Sequence, residues 1–204
     1  MEQEELKKQK EEAIFQAALR VIKEKGFHKA RMADIAAEAG TSYGLVYHYF
    51  GSKEELFEAI QRRWWGKLFE LMKDPSESSL SVPEKLGRII EYFLGTYHHN
   101  PELATIFITQ ISRSTTNLTP ERLAHFKSFM EMTQNVIKEG QDQGLLRNDI
   151  PSRYLTYIFL GSLETFVSAM VLVDQKIKDT AQKNRIAKGI LEVFLNGARN
   201  QTNK

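Results

Sequence analysis

The sequence predicts an all-α chain of about nine helices, with a small N-terminal helical unit joined by a long helix to a larger C-terminal one. Three observations carry that prediction. Apolar residues recur at three-and-four spacing in one segment after another. No stretch alternates as a half-buried strand would. The segment MADIAAEAGTSYGLVYHYF, residues 32–50, has the spacing of two short helices around a sharp turn.

The first helix should run from about Glu4 to Lys25, with Ile14, Ala18, Val21 and Ile22 facing inward and Gly26 ending it. Phe27 then folds back onto the core. Met32, Ile35, Ala36 and Ala39 form the buried stripe of a second helix, which Gly40 stops. Thr41 or Ser42 caps a third helix, whose inward side is Val46 and Phe50. Small Ala36 lets the two helices approach, Gly40 turns the chain, and Val46 locks the second against the first: a helix-turn-helix. Two ordinary core helices with a tight corner would account for the stripe but not for Tyr43, Tyr47, His48 and Tyr49 crowded beside it.

Ser52 and Glu55 have the spacing of a capping box that starts a fourth helix, with Leu56, Phe57, Ile60, Trp64, Leu68 and Leu71 on its apolar side. A Ser-rich linker containing Pro75 follows at residues 73–82. Prolines near Pro83, Pro101 and Pro120 mark three further helix starts. Their apolar stripes are Leu86, Ile89, Ile90, Phe93 and Tyr97; Leu103, Ile106, Phe107, Gln110 and Ile111; and Leu123, Phe126, Met130, Val136 and Ile137. Gly140 and Gly144 close the last of these. Pro151 opens a segment to Val173 that is apolar on nearly every side and so must be buried twice. A final helix, about Lys178 to Arg199, presents Ile186, Ile190, Leu191, Phe194 and Leu195.

Residues 35–56 resemble the TetR family of bacterial transcription regulators, through Ile35, Ala36, Ala39, Gly40, Ser42, Tyr47, Phe50, Lys53 and Leu56. Ala18, Leu19, Gly26 and Phe27 extend the likeness upstream. The resemblance implies a helix-turn-helix DNA-binding domain at 1–52, a connecting helix at 53–73 and an effector-binding and dimerisation domain at 83–204. Within the family, LGSLETFVSAMVLVDQK, residues 160–176, is similar to the eighth helix of fatty-acid-metabolism regulators that answer to long-chain acyl-CoA.

Charge and composition restrict the chemistry. The 28 Lys and Arg against 26 Asp and Glu leave a net charge of +2, so DNA affinity has to come from a local patch. Arg20, Lys23, Lys25, Lys29 and Arg31, facing only Glu24 in sequence, supply one. Absence of cysteine excludes disulfides and thiolate chemistry and is compatible with a cytoplasmic location. The N-terminus is too charged for a signal peptide, and no apolar run approaches the roughly 18 residues of a membrane span. No catalytic motif occurs, so the expectation is not an enzyme, with no cofactor and no metal. Adjacent His98 and His99 would point about 100° apart on a helix, a poor chelating pair.

The outer face of the third helix offers Tyr43, Gly44, Leu45, Tyr47 and His48 to a major groove, with Ser42 at its start. Lys53 stands in the first turn of the fourth helix, where the helix dipole disfavours a cation by a few tenths of a kcal/mol, roughly. The resemblance implies that it contacts phosphate, and that Arg31, where the family commonly has a Ser or Thr cap, makes a longer phosphate contact. Two such motifs held about 34 to 36 Å apart would read a palindromic operator, so a homodimer is expected. Phe159, Phe166, Ile190, Leu191 and Phe194 are its candidate interface. Polar residues inside apolar runs make Tyr97, Phe107, Gln110, Phe126, Met130, Tyr157 and Glu164 candidate effector contacts. The reading is a repressor released by a small apolar ligand, acyl-CoA among the options. A multidrug-type ligand is the alternative. A helical carrier or enzyme that ignores DNA is the different-class alternative.

Overall fold

A computed structural model describes residues 2–73, 79–106 and 119–199. The chain falls into two compact units, Met1–Gly66 with Thr105–Arg113, and Lys67–Ala104 with Ser114–Lys204. Nine helices are present among the described residues.

In the first unit, α1 (Glu2–Lys25), α2 (Met32–Glu38) and α3 (Tyr43–Phe50) close around the start of α4 (Lys53–Lys73). Ile14, Ala18, Val21 and Ile22 of α1 are buried, as their spacing predicts, together with Ile35, Ala36, Val46, Leu56 and Ile60. Aromatic side chains seal the periphery: the Phe15 and Phe50 rings lie 5.3 Å apart, and the Phe27 and Phe57 rings 5.0 Å. Gly40 has φ +63°, the left-handed conformation that the turn requires. Ser42 is the cap of α3, its Oγ accepting the Leu45 N–H at 3.2 Å. Ser52 accepts from the Glu55 N–H at 3.1 Å and starts α4. Arg31 cannot cap α2 with its side chain, since guanidinium only donates. Asp34 does the work in reverse, its Oδ2 accepting the Arg31 N–H at 3.1 Å.

The second unit is built on α5 (Val82–His99), against which α7 (Pro120–Asp142), α8 (Ser152–Leu172) and α9 (Thr180–Ala198) all pack. The short α6 (Pro101–Ile106) follows α5. Leu86, Ile89, Ile90 and Leu94 of α5 are buried. Lys85 pairs with Glu139 across α5 and α7 at 2.7 Å. Thr119 and Asp179 cap α7 and α9 through the Arg122 and Gln182 N–H groups, at 3.3 and 2.6 Å.

Three expectations are corrected. The inward stripe of α7 is Phe129, Thr133 and Ile137, whereas Leu123 and Phe126 are exposed, because the face that meets α5 and α8 lies one position round from the one the spacing suggests. Gly140 does not end α7: it lies inside the helix, where an added Cβ would stand 2.8 Å from Leu146 Cδ1 and 3.0 Å from Val82 Cγ1, so it is there for close packing. Gly144, at φ +71°, makes the stop. Finally, α8 is 21 residues long and by length and composition alone could cross a membrane, contrary to the expectation that no segment would. One of its faces is buried in this unit through Leu155, Phe159, Leu163, Val167 and Met170.

Candidate nucleic-acid interface

Helix α3 divides cleanly. Val46 and Phe50 are buried, while Tyr43 and Tyr47, one turn apart, are 52% and 51% exposed, their rings 5.6 Å from each other. Gly44 and His48 are exposed and Leu45 half-buried on the same side. The structure therefore brings Ser42, Tyr43, Gly44, Leu45, Tyr47 and His48 onto one helix surface, aromatic and polar, with a hydroxyl on each tyrosine. Such a face can enter a major groove, donate to phosphate or base oxygens and meet thymine methyl groups.

Cations near this face differ from the expected patch. Arg20 is paired with Glu38 at 2.6 Å and Lys25 with Asp34 at 3.0 Å, so acidic residues of α2 neutralise part of the stretch that faces only Glu24 in sequence. The hydrogen bond from Lys25 holds the Asp34 carboxyl below its ordinary value of 3.8, aided by the Arg31 N–H. Arg31 is exposed, and its guanidinium has no hydrogen bond or ion pair among the described residues.

Lys53, in the first turn of α4, is anchored on the backbone of its own unit. Its Nζ donates to the Phe27, Ala30 and His28 carbonyls at 2.7, 3.2 and 3.4 Å and sits 4.6 Å from the centre of the Phe27 ring. An ammonium has three N–H donors, and all three are in use. A cation is tolerated in the first turn of α4 because it is held by carbonyl oxygens of the α1–α2 connection.

The effector candidates are scattered. Phe107 and Gln110 lie outside the described residues. Tyr97 is buried and its hydroxyl donates to the Gln175 carbonyl at 2.8 Å, so it ties the end of α5 to the connection after α8 and has no hydrogen left for a ligand. Tyr157 and Glu164 are on the exposed side of α8, Phe126 is exposed on α7, and Met130 is half-buried. Deeper in the unit, burial and then the charge of Glu70 push the Tyr92 hydroxyl up from its usual range, keeping it a neutral donor. The His98 and His99 rings come within 4.8 Å instead of diverging, and His98 Nδ1 donates to the Ile177 carbonyl at 3.1 Å. No group of three or more potential metal-ligating side chains gathers among the described residues.

Of the candidate interface residues, Phe159 and Phe194 are core: they are 0% and 7% exposed, with rings 5.0 Å apart across α8 and α9. Phe159 packs wholly within the chain, while Phe194 also lines the groove between α8 and α9. Phe166 is exposed, and Ile190 and Leu191 are half-buried. What sequence reasoning missed is their exposed neighbours in the same groove, Ile158 at 55% and Val193 at 76% exposure. Together with Ser162, Phe166, Gly189 and Ile190 they line an open apolar groove of about 620 Å³ between α8 and α9.

Comparison with known proteins agrees with this geometry. Residues 14–60 match the family described as bacterial regulatory proteins, tetR family, and residues 61–193, well over half of the chain, match the YsiA-like protein C-terminal region. The chain is 25% identical over 188 residues to the fatty acid metabolism regulator protein of Bacillus subtilis (strain 168), covering 92% of this chain and 95% of that protein. Its fold matches the crystal structure of the transcriptional regulator FadR from Bacillus subtilis in complex with stearoyl-CoA, with TM-score 0.78, 23% identity, and 92% and 98% of the two chains covered. It also matches AibR in complex with isovaleryl coenzyme A and operator DNA, with TM-score 0.71, 20% identity, and 90% and 97% covered. A bare recognition-helix face on a buried helix-turn-helix core, followed by a helical unit that matches the family's C-terminal region, places this chain in the TetR family: it is a DNA-binding transcriptional regulator, not an enzyme.

Proposed function

We propose that this regulator is a cytoplasmic homodimeric repressor, released from a palindromic operator when a long-chain acyl-CoA enters its second unit. The functional division would be 1–52 for DNA, 53–73 as connecting helix, and 83–204 for effector and dimerisation. DNA contacts fall to Arg31, Ser42, Tyr43, Gly44, Leu45, Tyr47, His48 and Lys53. The observation that carries the effector is the similarity, over nine-tenths of the chain, to a fatty acid metabolism regulator, joined to a matching fold that holds stearoyl-CoA. An acyl chain needs an apolar channel and its coenzyme a polar mouth, which a helical unit with half-buried polar groups such as Tyr92 suits. The dimer is supported by the strip of Ile158, Phe166 and Val193, whose exposure is costly without a partner.

A gel-shift selection on random duplexes tests the DNA half of the reading. It should enrich an inverted repeat that long-chain acyl-CoA releases and free coenzyme A does not. Enrichment of no sequence, or of a single half-site, would contradict it.

A further inference from the structure

We propose that α3 reads its operator through the methyl groups of thymine, with Tyr43 as the specificity-determining residue and Leu45 beside it, and that it makes no bidentate hydrogen bond to a base. The proposal rests on the DNA-binding reading of the first unit and names the chemistry by which that site selects its sequence. Direct readout in a major groove ordinarily uses side chains that engage two base atoms at once or a complementary charge: Arg or Lys on guanine, Asn or Gln on adenine, Asp or Glu on cytosine. From Gly40 to Ser52, which covers the turn, the whole of α3 and the approach to α4, the chain has none of these six residue types.

What α3 exposes instead is largely carbon. Tyr43 opens the helix, where a recognition helix meets base edges. Its ring lies 5.6 Å from that of Tyr47 at an interplanar angle of 34°, so the two rings brace one another. Leu45 is half-buried on the same side, and Gly44 puts no side chain between them. The polar groups that remain act singly. Ser42 Oγ already accepts the Leu45 N–H at 3.2 Å, which leaves it one hydrogen to donate. Each tyrosine hydroxyl and the His48 ring can donate one hydrogen bond, and a single donor does not separate guanine, adenine and thymine, which all offer an acceptor in this groove. Arg31 and Lys53, at the starts of α2 and α4, flank α3 in the chain and serve phosphates, which carry no sequence information. Of the four bases only thymine presents a methyl group, and an apolar face recognises it.

Modified bases isolate this claim. In the duplex that the wild-type protein enriches from a random pool, deoxyuridine in place of one thymidine at a time removes only the methyl group, and 7-deaza purines replace only the N7 acceptor with carbon. Uracil should lower affinity about fourfold for each methyl group in contact. The 7-deaza purines should leave affinity within about twofold. Tyr43→Ala, at an exposed position, should abolish the uracil response at one position of each half-site, whereas Tyr43→Phe should retain it. A duplex indifferent to uracil would overturn the proposal, as would a 7-deaza purine that costs about fivefold or more, the least expected for losing a bidentate pair. Tyr43→Ala with the full uracil response at every position would overturn it as well. Enrichment of no sequence by the wild type would instead refute the DNA-binding reading itself.

Discussion

Replacing Gly44 by Ala should stabilise the protein and weaken its hold on DNA. Gly44 lies inside α3 with an ordinary helical backbone, and a Cβ built on it meets no atom within 4 Å. Nothing within the chain therefore requires glycine here. A glycine inside a helix is less favourable than alanine by about 0.5–1 kcal/mol, much of it through the larger freedom of the unfolded chain. Gly44→Ala should recover that amount, raising Tm by about 1–4 °C for a chain of this size. If the vacant position serves close approach of the α3 backbone to the duplex, the new methyl group must push the helix outward. Overpacking of a close-fitted contact by one methyl costs about 1–3 kcal/mol, or roughly 5- to 140-fold in affinity. Thermal unfolding and a gel shift on the same preparation supply both numbers. Higher Tm with unchanged affinity would refute the reasoning and leave Gly44 without a function in the groove.

The packing yields further expectations. Val193→Asp, on the exposed strip, should give a folded monomer by sedimentation, whereas Phe194→Asp should unfold the second unit, because it would bury an unpaired carboxylate against Phe159. A stable dimer of Val193→Asp would refute the α8–α9 interface. Gly140→Ala should destabilise by about 1–2 kcal/mol in urea, since its Cβ would press on Leu146 and Val82, both fully buried. Asp34 has a folded pKa below its unfolded one, so the stability it contributes is present above about pH 4 and is lost as pH falls through the lowered folded value. Acid titration of unfolding should therefore show a shallower decline in Asp34→Asn than in the wild type, and equal declines would deny the Lys25–Asp34 pair any part in stability.

Much of this is legible in the chain because local chemistry decides it. Gly40 and Ser42 determine the helix-turn-helix corner through backbone conformation and capping, and both effects reach only a few residues. Proline near a helix start, and Gly144 at a stop, are local in the same sense. The failures share the opposite property. An ammonium at Lys53 is visibly misplaced against a helix dipole, yet its carbonyl partners lie more than twenty positions upstream and leave no periodic trace. The Arg20–Glu38 pair is hidden by an 18-residue separation. In α8 the apolar side chains run round the helix, so no spacing distinguishes the face that meets its own chain from the face left bare. Spacing alone therefore leaves Phe159 and Phe194 open to a partner or to their own chain, and the structure packs them against each other within the chain. Candidate effector residues suffer most: a polar residue inside an apolar run is equally the mark of an internal tie, and Tyr97 makes one.

The measurement that bears most directly on the central claim is a linked titration of ligand and operator. A ligand shifts an equilibrium only by its difference in affinity between two states, and operator DNA must then weaken the ligand by the factor by which the ligand weakens DNA. Trp64 and Trp65 of α4, both buried with rings 4.9 Å apart, report through their fluorescence on the helix that runs from the DNA-binding unit into the second. Long-chain acyl-CoA titrated into the free protein and into the operator complex should give two affinities that differ by the same factor as the loss of DNA affinity. Equal affinities, with an operator complex that survives saturation, would contradict acyl-CoA as the inducer.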